Sequence, residues 1–356
     1  MTANPIEGAA GRARGPRWLW SAGALVAGAL VALGVQTQGA SAADVAATAP
    51  AADCRIVAGL RGAEDIATDP ADGLVFVSAT DRYAMRAQSA AQDGLYLLRL
   101  GADSDTLTKL DGQPADFHPH GISLFRGKGG RLTLMAVNHG HGGASAVILF
   151  DVRATGGRVS LSERRRVDGP PMVSPNDLAA VDQDRFYVSD DRTGKLLYFD
   201  GAGLQAVASG LKTPNGVAVS ADGAHIYVAE TTGRAVQAYR RDATTGALTA
   251  ESRLALPSSP DNIDVAPDGA LWIAGHPDVG AFMAYFRAPT AKPSPSQIFK
   301  VTMASGLPKS ASLVYANPGD EIGAASVGAV MGRRLLIGTT LDAKILDCGL
   351  PTRGTG

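Results

Sequence analysis

Side chains that carry oxygen recur at one place in a repeated phrase of this chain. Glu64-Asp65, Asn176-Asp177, Asn215 and Asp261-Asn262 each stand just ahead of an apolar, alternating tract, and His120 holds the same place in Pro119-His120-Gly121-Ile122-Ser123. Taken singly, an Asn or Asp there reads as a turn or cap residue. Gathered in one space without an ion, these carboxylates would repel one another and be costly to desolvate. A hard cation removes both problems, and calcium accepts six to eight oxygen ligands, Asn carbonyls included. Zinc asks for a tetrahedral His/Cys array, which is not evident in the spacing. A neutral imidazole beside the cation is placed to take a proton from water, the role expected of His120, with His139 of Val137-Asn138-His139 to orient it. His276 in Gly275-His276-Pro277 closes the second strand of its repeat and, as a lone histidine, reads first as a hydrogen-bonding residue; His141, two positions after His139, carries no comparable argument. There is no Gly-x-Ser-x-Gly elbow, phosphate loop or dinucleotide fingerprint.

What must position these residues is a repeat. Six segments share one grammar: a polar lead-in, a strand, a turn, then a strand reading aromatic or aliphatic, Val or Ile, and a small residue. The lead-ins at Glu64, Pro119, Pro175, Pro214, Pro260 and Ala325 run on to Val75–Ser78, Leu134–Val137, Phe186–Ser189, Ile226–Ala229, Leu271–Ala274 and Leu335–Gly338. Third strands are expected at 95–100, 147–152, 196–200, 236–240 and 283–287, with fourth strands weaker and more polar. Four strands per repeat of about 40–65 residues describe a propeller blade. The expected fold is therefore all-β, a six-bladed β-propeller with four-stranded blades over 54–350. The sixth repeat is short at its end, so a strand near Arg55–Gly59 is expected to close the ring. That would set Cys54 beside Cys348 in a disulfide, two unrelated buried thiols being the alternative.

The 356 residues are 45% hydrophobic and 19% charged, a globular composition, and the formal net charge of −1 gives no basic excess for nucleic acid. Arg12, Arg14 and Arg17 precede an apolar run from Trp18 to about Val35, and small residues follow from Gly39 to Ala43. This reads as a secretory signal over 1–43 cleaved near Ala42, or as an uncleaved anchor. A linker over 44–53 and a tail over 351–356 complete the division. Export to the periplasm or medium is expected, without stable membrane association once the signal is removed.

At these residues the sequence resembles the paraoxonase/arylesterase family of calcium-dependent lactonases. The resemblance runs from Glu64 to about Leu350 through Glu64-Asp65, His118-Pro119-His120-Gly121-Ile122-Ser123, Val137-Asn138-His139, Asn176-Asp177, Asn215-Gly216, Asp261-Asn262-Ile263 and Leu335–Thr339. It implies two calcium ions. The catalytic ion would use Glu64, Asn176, Asn215, Asp261 and Asn262; the structural ion would use Asp65, Asp177 and the backbone oxygen of Ile122. It further implies a His120–His139 dyad supported by Asp191, a substrate-flanking Tyr83 on a mobile loop, and the Cys54–Cys348 disulfide. The long insertion of mammalian-type members is missing after Asp190-Asp191-Arg192-Thr193-Gly194, and a cysteine known in the family is Gly275 here. The implied activity is calcium-dependent hydrolysis of small-molecule lactones and aryl esters, with promiscuous phosphotriesterase activity. A gluconolactonase-type sugar lactonase and a non-catalytic calcium-stabilised binding propeller are the alternatives.

Overall fold

The computed structural model describes residues 53–351 except 90 and 103; the signal or anchor, most of the linker and the tail lie outside the described residues. The described residues form six four-stranded antiparallel sheets, strands β1–β24 in chain order. The innermost strands are β2 (Ala63–Asp69), β6 (Pro119–Arg126), β10 (Pro175–Ala180), β14 (Pro214–Val219), β18 (Ser259–Val265) and β22 (Ala325–Met331). Each of these packs against the next and β22 against β2, so the six blades form a closed ring about a central channel.

The second strands are buried on both faces, and their period-2 alternation serves two neighbours at once. In β3 (Leu74–Ala79), Val75 and Val77 pack toward blade six while Phe76 packs toward blade two. One apolar cluster fills each space between adjacent blades, which is where the core sits. The outer strands, such as β5 (Thr106–Lys109) and β17 (Leu248–Ala255), are largely exposed and polar.

Closure follows the expected plan. β1 (Cys54–Ala58) is the outermost strand of the last blade and pairs with β24 (Lys344–Gly349), Cys54 opposite Cys348. The two cysteines are disulfide-bonded across 294 residues. A second clasp lies beside it: Arg55 and Arg334 converge on the buried side chains of Asp105 and Asp347, with Arg55 Nη2 donating to Asp347 Oδ2 at 2.9 Å and Arg334 Nη2 to Asp105 Oδ1 at 2.9 Å. Removing the disulfide as Cys54→Ala/Cys348→Ala is expected to cost about 2 kcal/mol by denaturant unfolding, because the bond acts mainly on the unfolded chain, whose residual structure reduces the loss, while ladder and ion cluster keep β1 in place in the folded state. That is well under the ~5 kcal/mol chain-entropy ceiling for so long a loop.

One expected strand is a helix. Residues 283–287 lie in α2 (Val279–Arg287), not in the third strand of blade five, which is β20 (Ser296–Ala304). Asp278 caps the helix, its Oδ1 accepting from Ala281 N at 2.9 Å. Phe282, Tyr285 and Phe286 then recur at helical spacing and pack on one apolar cluster. A shorter helix, α1 (Arg82–Ala87), is capped by Asp81, which accepts from Tyr83 N and Ala84 N. Among the described residues no helix is long and apolar enough to cross a membrane.

Candidate active site

In all six blades the pairing of the innermost strand with the second slips at the lead-in. The slips fall between Ala63 and Asp65, Pro119 and Ile122, Pro175 and Leu178, Pro214 and Val217, Pro260 and Ile263, and Ala325 and Val327. A bulge frees residues from the ladder and re-aims their side chains. The freed residues are Glu64, His120-Gly121, Asn176-Asp177, Asn215-Gly216, Asp261-Asn262 and Ser326. Proline at the first strand position suits this geometry, having no N–H to pair. Glycine follows where blades approach most closely: a Cβ on Gly121 would lie 2.5 Å from Asp177 Cα, and one on Gly216 would lie 2.6 Å from the carbonyl oxygen of Asp261. Hydroxyls of a neighbouring blade lock four of the six bulges. Ser78 Oγ donates to His120 O at 2.5 Å, Ser189 Oγ to Asn215 O at 2.7 Å, Thr231 Oγ1 to Pro260 O at 2.8 Å and Ser326 Oγ to Glu64 O at 2.6 Å.

The freed side chains are rich in acceptors. Glu64 and Asn262, each 1% exposed, meet across the channel: Asn262 Nδ2 donates to Glu64 Oε1 at 2.9 Å. Asp65 accepts from Ile66 N at 2.8 Å and Ile122 N at 2.7 Å, and Asp177 Oδ2 from Val217 N at 2.7 Å. Five oxygens remain buried with no hydrogen-bond partner among the described residues: Glu64 Oε2, Asn176 Oδ1, Asp177 Oδ1, Asn215 Oδ1 and Asn262 Oδ1. Buried polar atoms are nearly always paired, so five unpaired acceptors at one repeat position fit a cation with oxygen ligands. Burial, then the neighbouring Glu64 charge, holds the Asp65 carboxyl well above the usual carboxylate range; burial, then Asp65, does the same to Asp177. Burial also pushes Glu64 upward, but His120, Arg82 and the Asn262 amide outweigh it and leave Glu64 lowered.

Asp261 is partly engaged elsewhere. Its Oδ2 accepts from His276 Nε2 at 2.9 Å; both residues are buried, and the His276 ring lies 4.2 Å from the Phe282 ring. His276 was not distinguishable by sequence position, because it sits at the end of β19 (Leu271–His276) and reaches the site only through Asp261.

The histidine pair is formed. His120 Nδ1 and His139 Nε2 are 3.1 Å apart, His120 Nε2 lies 3.6 Å from Glu64 Oε1, and His139 Nδ1 lies 3.2 Å from Ser145 Oγ. Burial, then repulsion between its protonated form and the His120, Arg82 and His118 cations, holds His139 well below the ordinary histidine range, so the pair does not carry two protons' charge at once. His139 is therefore neutral near pH 7. Asp191 meets Asn176 Nδ2 at 3.5 Å, while the imidazole contacts go to each other, Glu64 and Ser145. The acid expected behind the pair is thus placed beside a lead-in amide instead, and Ser145 stands where it was sought.

Tyr83 lies in α1 rather than on an irregular loop. Its hydroxyl donates to the Tyr285 carbonyl of α2, and the Arg61 and Arg86 guanidinium groups lie 5.8 and 5.1 Å from its ring centre. Burial is the main reason its hydroxyl is pushed up to about 12. Both helices follow second strands, so the antiparallel order puts them at the same end of the ring as the lead-ins, with Tyr83, Phe282 and Phe286 forming a partly buried apolar rim.

A family model described as Arylesterase matches residues 188–350. The chain is 28% identical over 324 residues to the serum paraoxonase/arylesterase 1 of Mus musculus, covering 84% of this chain and 89% of that protein. It is 26% identical over 324 residues to the serum paraoxonase/lactonase 3 of Rattus norvegicus, with the same coverage. Among solved structures, the periplasmic gluconolactonase of Pseudomonas aeruginosa superposes with a TM-score of 0.51 at 16% identity, over 77% of each chain, a likeness of fold.

Proposed function

We propose that this chain, a relative of the paraoxonase/arylesterase family, is an exported, calcium-dependent hydrolase of lactones and aryl esters. The observation that carries the reading is the coincidence of five unpaired buried oxygens with the His120–His139 pair at one end of the channel. Glu64, Asn176, Asn215, Asp261 and Asn262 would hold a catalytic calcium; Asp65, Asp177 and the Ile122 carbonyl would hold a structural one. A bound calcium supplies positive charge for the oxyanion that develops during ester hydrolysis.

The protein's own groups handle the proton. In the tautomer that gives each imidazole nitrogen a role, His139 Nδ1–H donates to Ser145 Oγ and His139 Nε2 accepts from His120 Nδ1–H. The lone pair at His120 Nε2 then faces the site and removes a proton from the attacking water. The imidazolium so formed is stabilised through Nδ1–H by the neutral His139 and through Nε2–H by Glu64. On collapse, the same Nε2–H returns its proton to the leaving oxygen. The rim of Tyr83, Phe282 and Phe286 excludes water and suits an apolar acyl or aryl group better than a polyhydroxylated sugar lactone. Phosphotriester hydrolysis is a side activity that the same base and charge can support.

The test is lactone hydrolysis before and after chelation. Activity is expected to fall at least a hundredfold in chelator and to return with calcium; full turnover by the metal-free protein would overturn the reading. His276→Ala is expected to weaken calcium binding by about 10–100-fold in titration calorimetry, because Asp261 loses the N–H that orients it.

A further inference from the structure

A second cluster of metal-binding atoms lies outside the channel site. Asp116 and His118 precede β6, and His141 begins the turn that follows β7 (Leu132–His139). The sequence separates these residues by up to 25 positions, but the antiparallel pairing of β6 with β7 brings them together. His118 Nε2 is 3.2 Å from His141 Nδ1 and 3.3 Å from Asp116 Oδ1, and Asp116 Oδ1 also contacts His141 Nδ1. A tetrahedral ion with bonds of about 2.0–2.1 Å separates its donor atoms by about 3.3–3.4 Å; the two spacings from His118 Nε2 are close to the edges of such a polyhedron, and the direct Asp116–His141 contact would open to admit the ion.

The support behind the cluster favours a ligand role. The other ring nitrogen of His118, Nδ1, is held by the buried Asp93 Oδ2 at 2.6 Å, and Asp93 is itself fixed by Asp81 N donating to Oδ1 at 2.8 Å. A carboxylate behind one imidazole nitrogen is what typically orients a metal-binding histidine and leaves the other nitrogen's lone pair outward. Asp116 is fixed as well, accepting from His141 N at 2.9 Å. Gly140 permits this approach, since a Cβ there would lie 3.0 Å from Asp116 Oδ2. With the His141 side chain 66% exposed, the outward coordination position is open to water.

We propose that Asp116, His118 and His141 form a site for a divalent transition-metal cation of the zinc class, distinct from the channel site. Two imidazoles and one carboxylate are the donors such ions prefer, and calcium, which takes oxygen ligands, would not compete for them. The site joins the segment ahead of His120 to the turn after His139.

Zinc alone is the probe. The untagged full chain, in excess calcium, is titrated with Zn²⁺ by calorimetry. One equivalent is expected to bind, and Co²⁺ in its place is expected to give a tetrahedral visible absorption band. His118→Ala/His141→Ala should abolish that equivalent, His141→Ala alone should weaken it at little change in metal-free melting temperature, and Asp93→Asn should weaken it by about 10–100-fold. His120→Gln should leave it intact. Zinc binding that survives the double variant, or disappears in His120→Gln, would place the ion on the channel histidines and overturn the proposal. Absence of binding would equally overturn it, leaving the cluster as a clasp between histidines and carboxylates.

Discussion

His120→Gln is expected to lower kcat for lactone hydrolysis by about 10²–10⁴-fold, the range for loss of a positioned general base. Glutamine keeps a polar side chain of similar reach but offers no nitrogen lone pair to accept a proton. The fold should tolerate the change. The His120 backbone is held by Ser78 Oγ on its carbonyl, while the polar contacts of the side chain among the described residues go to His139 and Glu64. Calcium binding and melting temperature should therefore stay close to wild type, which separates loss of the base from loss of the site. His139→Gln should cost less, since an amide can still accept from His120 Nδ1–H. A His120→Gln enzyme within threefold of wild type, at saturating calcium, would remove His120 from the mechanism.

The lead-ins were legible because the bulge that exposes them leaves a local mark: proline or alanine, then an oxygen-bearing or imidazole side chain, then an aliphatic strand. Gly121 and Gly216 belong to the same mark, each lying where a Cβ would strike the next blade. The cysteines were legible because a propeller must close, which joins the ends of the chain whatever lies between. Other residues left no such trace. Ser145 reaches His139 only through the register of β7 with β8 (Ser145–Thr155), and Arg82 acts on Glu64 and His139 through charge from a helix end. The α2 segment misled for a plain reason: five residues, Met283–Arg287, fit a short apolar strand as well as a helical face. Asp278 ahead of it was the deciding signal, an N-cap three residues before a backbone N–H that it accepts from.

Asp177→Asn should reverse sign with calcium. In calcium the wild-type melting temperature is expected to rise with concentration, since an ion that binds only the folded state adds about 2.7 kcal/mol at a hundredfold excess over Kd. Asp177 has one oxygen held by Val217 N and the other buried without a partner, beside a carboxyl whose charge it opposes. Replacing it with Asn removes one ligand charge, so most of the calcium-dependent rise should vanish. In chelator the balance is different. Burial and Asp65 hold the Asp177 carboxyl well above its unfolded-state range, so the folded state binds its proton more tightly than the unfolded chain does. Metal-free wild-type stability contributed by this group is accordingly lost as pH rises from the unfolded carboxylate range toward the raised folded one. The Asn variant carries no such proton, so in chelator near pH 7 its melting temperature should equal or exceed that of wild type. Thermal melts of both proteins, with calcium and with chelator, decide the matter. A variant less stable than wild type in chelator, or one that keeps the full calcium-dependent rise, would show that Asp177 does not carry the charge that calls for the ion.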